Sequence, residues 1–128
     1  YYGKWIENIR SVYIKREDSR ASLKAIQEGI ELLEQGFSLI IFPEGTRSRK
    51  KEMGAFRKGP LRLATKPEVP IIPFTIDGSY GVFEETGVLT SGLPIRFMIH
   101  PPIDTQGLSR SQIKELDNRV EDLVRSGL

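Results

Sequence analysis

Phe37-Ser38-Leu39-Ile40-Ile41-Phe42-Pro43-Glu44-Gly45-Thr46-Arg47-Ser48 is the stretch on which the fold turns. Its first half is apolar apart from Ser38. Being β-branched and aromatic, it predicts a strand over Phe37–Phe42 buried on both faces. Pro43 has no N–H for a ladder and ends the strand. Gly45 lets the backbone turn tightly or come close to a ligand. A carboxylate, a hydroxyl and a guanidinium then stand at the C-terminal end of a buried strand. In open α/β sheets ligands bind at that edge. The plainer alternative is a strand-to-loop junction with a solvated Glu44–Arg47 pair.

Upstream of this stretch, Leu23, Ile26, Ile30 and Leu33 trace one helical face, with Lys24, Gln27, Glu28, Glu31 and Glu34 on the other. Ser19 or Ser22 suits the N-cap and Gly36 the residue just past the end. Before that helix, Val12-Tyr13-Ile14 reads as a short strand running into Lys15-Arg16-Glu17-Asp18. Strand, helix and strand predict a right-handed crossover and a parallel pair. Arg16 and Glu44–Arg47 would then leave the sheet at one edge. Tyr2, Trp5, Ile6 and Ile9 have helical spacing and suggest the tail of an amphipathic helix.

Downstream, Arg49 to Gly54 is a polar loop, and Phe56-Arg57-Lys58-Gly59 leads to Pro60. Proline fits the first turn of a short helix carrying Leu61, Leu63 and Ala64, and Pro67 stops it by about Thr65. Val69–Ile76 is a further strand, its ladder confined to the later part by Pro70 and Pro73. Asp77-Gly78 signals a turn, and Ser79 to Gly92 reads as loop. Leu93–Ile99 is a strand candidate with Ile95, Phe97 and Ile99 alternating. The final helix has a capping box in Ser109 and Gln112, with Leu108 and Ile113 placed as a hydrophobic staple.

The 128 residues predict one α/β domain, 1–128, with a mixed, mostly parallel sheet and flanking helices. The composition, 38% hydrophobic and 28% charged, excludes a disordered chain. No cysteine is present, which removes disulfides, thiolate catalysis and cysteine zinc sites. No apolar run approaches the roughly 18 residues of a membrane span. The chain opens mid-pattern on a residue other than Met, so an N-terminal truncation is expected.

The net charge is only +2, so the position of the positive charge matters more than its sum. Between Arg47 and Lys58 lie Arg47, Arg49, Lys50, Lys51, Arg57 and Lys58, opposed only by Glu52. Arginine grips phosphate as a planar fork and lysine as a point charge. Gly59 would let a backbone N–H approach, and a helix starting at Pro60 would add its dipole. A phosphate or anionic head-group site is expected; the alternative is a solvated basic loop. Nucleic acid fits less well, because no aromatics alternate with the cations to make a stacking platform. The lone His100 sits at a strand end before two prolines and reads as structural or solvated. With no second histidine, no histidine metal cluster is expected.

These blocks resemble the 1-acyl-sn-glycerol-3-phosphate acyltransferases, the PlsC-like glycerolipid acyltransferase family. Phe42-Pro43-Glu44-Gly45-Thr46-Arg47-Ser48 is similar to its third signature block. Val12-Tyr13-Ile14-Lys15-Arg16 is similar to the second and Val69-Pro70-Ile71-Ile72-Pro73 to the fourth. Phe56-Arg57-Lys58-Gly59 is similar to the F-x-K-G segment between the third and fourth. The order and spacing hold from about Tyr1 to Asp104.

The resemblance implies acyl transfer from acyl-CoA or acyl carrier protein to the sn-2 hydroxyl of lysophosphatidic acid, in phospholipid biosynthesis at the cytoplasmic side of a membrane. It needs no further cofactor. It implies that Arg16 and Arg47 bind the acceptor phosphate, that Glu44, Gly45 and Thr46 position its glycerol part, and that Ser48, Lys58 and Gly59 belong to the same site. The family's general base is the histidine of an H-x-x-x-x-D motif. That motif does not occur here. His100 is followed by Pro101, Pro102, Ile103 and Asp104, one position too short and after the fourth block. No catalytic residue is therefore expected in this chain, and the 128 residues alone are expected to be inactive. The blocks also fit an acyltransferase for glycerol 3-phosphate, another lysophospholipid or an amino-acid-derived lipid. A non-catalytic module for anionic lipid is a further reading.

Overall fold

The computed structural model describes residues 19–48 and 50–128. The expected strand at Val12–Ile14 and the site residue Arg16 lie outside them, as does Arg49. The chain divides into two compact units, Tyr1–Leu39 and Ile40–Leu128.

In the first unit α1 spans Ser19–Glu34. Its end follows from Gly36, whose φ of +87° places it in the left-handed region open to glycine. The Gly36 N–H donates to Leu33 O and the Phe37 N–H to Leu32 O, both at 3.0 Å. These are the two bonds of a Schellman motif, and they satisfy carbonyls the helix leaves over. Ala25, Gly29 and Ile30 are buried. Leu23, expected on the buried face, is 66% exposed, so that face is rotated from the leucine stripe toward Ala25 and Gly29.

In the second unit α2 spans Arg62–Thr65, β1 Phe74–Asp77, β2 Arg96–Ile99 and α3 Arg110–Arg125; a 3-10 turn covers Ser79–Val82. The strands pair antiparallel in a two-stranded sheet, with Phe74 opposite Ile99 and Ile76 opposite Phe97. Among the described residues this antiparallel pair stands in place of the expected mostly parallel sheet. The chain from β1 to β2 holds a 3-10 turn rather than a crossover helix, so β2 returns beside β1 in the opposite direction. Pro70 and Pro73 act as expected. Ile71 makes only an isolated bridge to Ile103, and the ladder begins at Phe74.

The doubly buried strand expected over Phe37–Phe42 is also corrected. Those residues join no ladder among the described residues, and Ile40 and Phe42 are largely exposed. An apolar run shows what could be covered, but not which element covers it. The alternation in Leu93–Ile99 has a similar outcome. The face of the sheet toward α3 carries Thr75, Asp77, Arg96 and Met98, of which Thr75 is buried, and Ile76, Phe97 and Ile99 on the other face are exposed, as is every residue of β2. The Phe74 ring makes an edge contact with Phe42 and a tilted one with Phe97.

The core of this unit is Leu61, Ile103, Leu116 and Val120, packed against by Ile41, Phe56, Ile71, Leu108, Leu123 and Val124. α3 starts as its sequence predicts. Ser109 Oγ accepts the Gln112 N–H, and Gln112 Oε1 accepts the Ser109 N–H at 2.8 Å. Where α3 ends it meets the sheet. Thr75 Oγ1 donates to Val124 O at 2.6 Å and so must accept from His100, whose Nε2, 2.8 Å away, carries the hydrogen. Both side chains are buried. His100 thereby ties the end of β2 through Thr75 to the end of α3, a structural role. Gly127 fits against this pair: a Cβ there would stand 2.6 Å from Thr75 Oγ1 and 3.2 Å from His100 Nε2.

Candidate functional site

The Phe42–Ser48 stretch begins with a turn. The Gly45 N–H donates to Phe42 O at 2.9 Å, with Pro43 and Glu44 at the two central positions. Proline presets the backbone angle its position requires. Gly45 follows with φ +67°, a conformation costly for other residues. It also lacks space: a Cβ would lie 2.8 Å from Arg57 Nε and 2.9 Å from Arg57 Cδ. The Arg57 side chain therefore crosses directly over the Gly45 backbone.

The loop after Gly45 returns to its start. The Arg57 N–H donates to Pro43 O at 2.9 Å, closing the neck. Inside it, one oxygen of Glu44, Oε2, accepts the Ser48 hydroxyl at 2.8 Å and the Gly54 N–H at 2.9 Å. Gly54 fits because it has no side chain; a Cβ there would stand 2.9 Å from that oxygen. The returning limb is fixed to the core by Phe56. Its ring packs on the core cluster, and its N–H donates to Glu121 Oε2 on α3 at 3.1 Å.

Two carboxylates on α3 face this limb and shift in opposite directions. The Arg125 side chain, 2.8 Å from Glu121, and the Phe56 N–H hold Glu121 below the ordinary carboxylate range. Burial raises Asp117, against the pull of the Lys58 and Arg62 charges.

The expected site residues therefore divide. Glu44 and Ser48 touch, and Gly45 lies under Arg57. Arg47 is engaged by Glu84 at 3.3 Å, yet its side chain remains 73% exposed. An open ion pair of this kind is worth about 0–1 kcal/mol, so an anion can displace it. Thr46 is exposed. Lys58 is also exposed and is coupled electrostatically to Asp117. Gly59 has φ +115° and open space around its Cβ position, so conformation rather than close approach calls for glycine. The helix dipole expected at Pro60 is corrected. α2 has four residues, too few aligned peptides to make an anion site. Sequence reasoning missed Glu84, Gly54 and Glu121. Each is joined to its partner only by the path of the chain, and no local pattern marks it. Among the described residues no cluster of side chains suits a metal ion, and no helix is long and apolar enough to cross a membrane.

The comparisons with known proteins agree with this picture. The family profile described as Acyltransferase matches residues 1–77. A 1-acyl-sn-glycerol-3-phosphate acyltransferase of Borreliella burgdorferi is 30% identical over 113 residues, covering 88% of this chain and 45% of that protein. The chloroplastic 1-acyl-sn-glycerol-3-phosphate acyltransferase BAT2 of Brassica napus is 37% identical over 94 residues, 72% of this chain and 27% of that one. Among solved structures, the 1-acyl-sn-glycerophosphate (LPA) acyltransferase PlsC of Thermotoga maritima superposes with a TM-score of 0.75 at 29% identity. That match covers 98% of this chain and 49% of PlsC. The chain thus spans about half or less of the length of each of these proteins.

Proposed function

The chain belongs to the acyltransferase family, and from that premise we propose that it forms the acceptor-binding part of a 1-acyl-sn-glycerol-3-phosphate acyltransferase. The whole enzyme moves an acyl group from acyl-CoA or acyl carrier protein to the sn-2 hydroxyl of lysophosphatidic acid, in phospholipid biosynthesis. The observation that carries this reading is Arg47. Its guanidinium is open to solvent, is held among the described residues by one displaceable ion pair, and stands on a loop closed at its neck. Five N–H donors in a planar fork suit a phosphate monoester. Arg57 beside Gly45, with Lys50 and Lys51 exposed on the same loop, adds positive charge for an anionic substrate at an anionic lipid surface. The enzyme works at the cytoplasmic face of a membrane.

No proton-transfer step is assigned to this chain. His100 is committed to Thr75 in the core, and the H-x-x-x-x-D pattern is missing from the 128 residues. General-base assistance is worth roughly 10²–10⁴-fold. The purified chain is therefore inactive in acyl transfer while still binding the acceptor.

Replacing Arg47 tests the reading. A charge-assisted hydrogen bond contributes about 1.5–3 kcal/mol, so Arg47→Ala should weaken lysophosphatidic acid binding roughly ten- to a hundredfold. Circular dichroism should stay unchanged. Equal binding by the two proteins would remove Arg47 from the site and favour a second reading, a non-catalytic module for anionic lipid. In that case affinity would follow total loop charge, each lysine counting like Arg47.

A further inference from the structure

One oxygen of the signature carboxylate of the opening stretch is engaged internally. Glu44 Oε2 takes two hydrogen bonds from its own loop, one from a hydroxyl four residues on and one from a backbone amide ten residues on. Two features of the loop exist to permit this. Ser48 supplies a donor of the right length, and Gly54 leaves the 2.9 Å that a methyl group would fill. We propose that Glu44 is a positioning residue. Its carboxylate clasps the loop between Pro43 and Arg57 and thereby sets the backbone from which Arg47 reaches an anionic phosphate. This rests on the acceptor reading above and deepens it: Glu44 acts through Ser48 and Gly54 and not by touching the glycerol part.

The geometry accounts for the chemistry required at each position. An oxygen that accepts two donors must present lone pairs to both, as a carboxylate or amide oxygen does and a methyl group does not. The Ser48 bond closes Glu44 to Ser48, with Arg47 between them in sequence, into a short ring of chain. The Gly54 bond then ties that ring to the returning limb, which Phe56 fixes to the core. Among the described residues, what holds the segment from Gly45 to Ala55 without the clasp is its neck bond, the local Thr46 hydroxyl bond to Arg47 O and the exposed pair of Arg47 with Glu84. Part of the binding free energy for phosphate must then go into ordering it.

The glycine allows a decisive cycle. Gly54 has no positive φ, so alanine does not meet the left-handed penalty there, and among the described residues the three atoms nearest its methyl position all belong to Glu44, Oε2 at 2.9 Å. Gly54→Ala should damage the loop when Glu44 is present and do nothing further once Glu44 is alanine. The experiment takes the 128-residue chain, with Glu44→Ala, Glu44→Gln, Ser48→Ala, Gly54→Ala and the double variant Glu44→Ala/Gly54→Ala. It measures amide hydrogen exchange at residue 54 and lysophosphatidic acid affinity by titration.

In Glu44→Ala, exchange at residue 54 should quicken about tenfold or more and affinity fall about tenfold, with thermal unfolding unchanged. Ser48→Ala should lose less, and Glu44→Gln should restore most of both through its amide oxygen. The double variant should be no worse than Glu44→Ala. Additive losses in the double variant would make Glu44 a direct ligand and overturn the proposal, as would unchanged exchange at residue 54 in Glu44→Ala. Failure of the wild-type chain to bind lysophosphatidic acid would instead sink the acceptor reading, and the exchange arm would still decide the clasp.

Discussion

The clasped loop from Pro43 to Arg57 and the seam where α3 meets the sheet use the same devices toward different ends. Each rests on one oxygen engaged twice: Glu44 Oε2 by Ser48 and Gly54, Thr75 Oγ1 by His100 and Val124. Each excludes a methyl group at a neighbouring glycine, Gly54 in one and Gly127 in the other. They differ in solvent access. Thr75 and His100 are buried, whereas Glu44 is half-buried and its loop carries exposed cations. A hydrogen bond lost in the seam leaves a polar group with no water to replace it. One lost in the loop is partly compensated by solvent. The same construction therefore ties the helix to the sheet at one place and, at the other, closes a more exposed loop.

Gly127→Ala gives the largest expected effect. Its Cβ would press on Thr75 Oγ1 and Cβ, at 2.6 and 2.9 Å, inside a region with little freedom to shift. Overpacking of this kind costs about 1–3 kcal/mol. Chemical denaturation should show that loss with the unfolding slope unchanged. A Gly127→Ala protein as stable as wild type would break the comparison, because the seam would then be as forgiving as the loop.

Glu121 links the two regions, since α3 belongs to the seam and its carboxylate accepts the Phe56 N–H at the foot of the loop. Its folded-state pKa is lowered, first by the Arg125 side chain and then by Phe56. Its contribution to stability is therefore present above the unfolded carboxylate range and lost as pH falls through the lower folded value. Glu121→Gln should cost about 1 kcal/mol at neutral pH and flatten that acid-side fall in a pH series of unfolding curves. An unchanged acid limb would separate the loop from the helix.

Asp117, one turn earlier, gives the smallest effect and the opposite sign. Burial raises its pKa, so its carboxylate works against the fold at neutral pH and the penalty disappears as pH falls. Asp117→Asn should stabilise the chain at pH 7 by up to about 0.5 kcal/mol and lose that advantage in acid. Destabilisation at pH 7 would mean that the charges of Lys58 and Arg62 outweigh burial.

Much of the local structure was legible because its causes lie within a few residues. The capping box at Ser109 and Gln112 starts α3, Gly36 closes α1, and Pro70 and Pro73 delay the ladder to Phe74. Pro60 and Pro67 bracket α2. The Phe42–Ser48 stretch was legible as a turn bearing a carboxylate and a guanidinium. Its apolar lead-in was misread. Hydrophobic pattern records a residue's chemistry and period, and both Ile40 and Phe97 carry the pattern of buried strand residues while lying exposed.

By itself, then, the sequence determined where α3 starts, where α1 and α2 stop, where the ladder cannot run, and which residues make the signature loop. Steric limits on proline and glycine, and caps within one turn, need no distant partner. The tertiary structure alone decided that Glu44 meets Gly54, that Arg47 meets Glu84, that Phe56 is held by Glu121, and that His100 serves the core through Thr75. Those pairings depend on how the chain is routed between its elements. A hydrogen bond between residues distant in sequence becomes favourable only after packing has brought them together. The opening stretch shows this directly: Glu44, read from sequence as a group for substrate, has one carboxylate oxygen engaged by Ser48 and Gly54 in the folded chain.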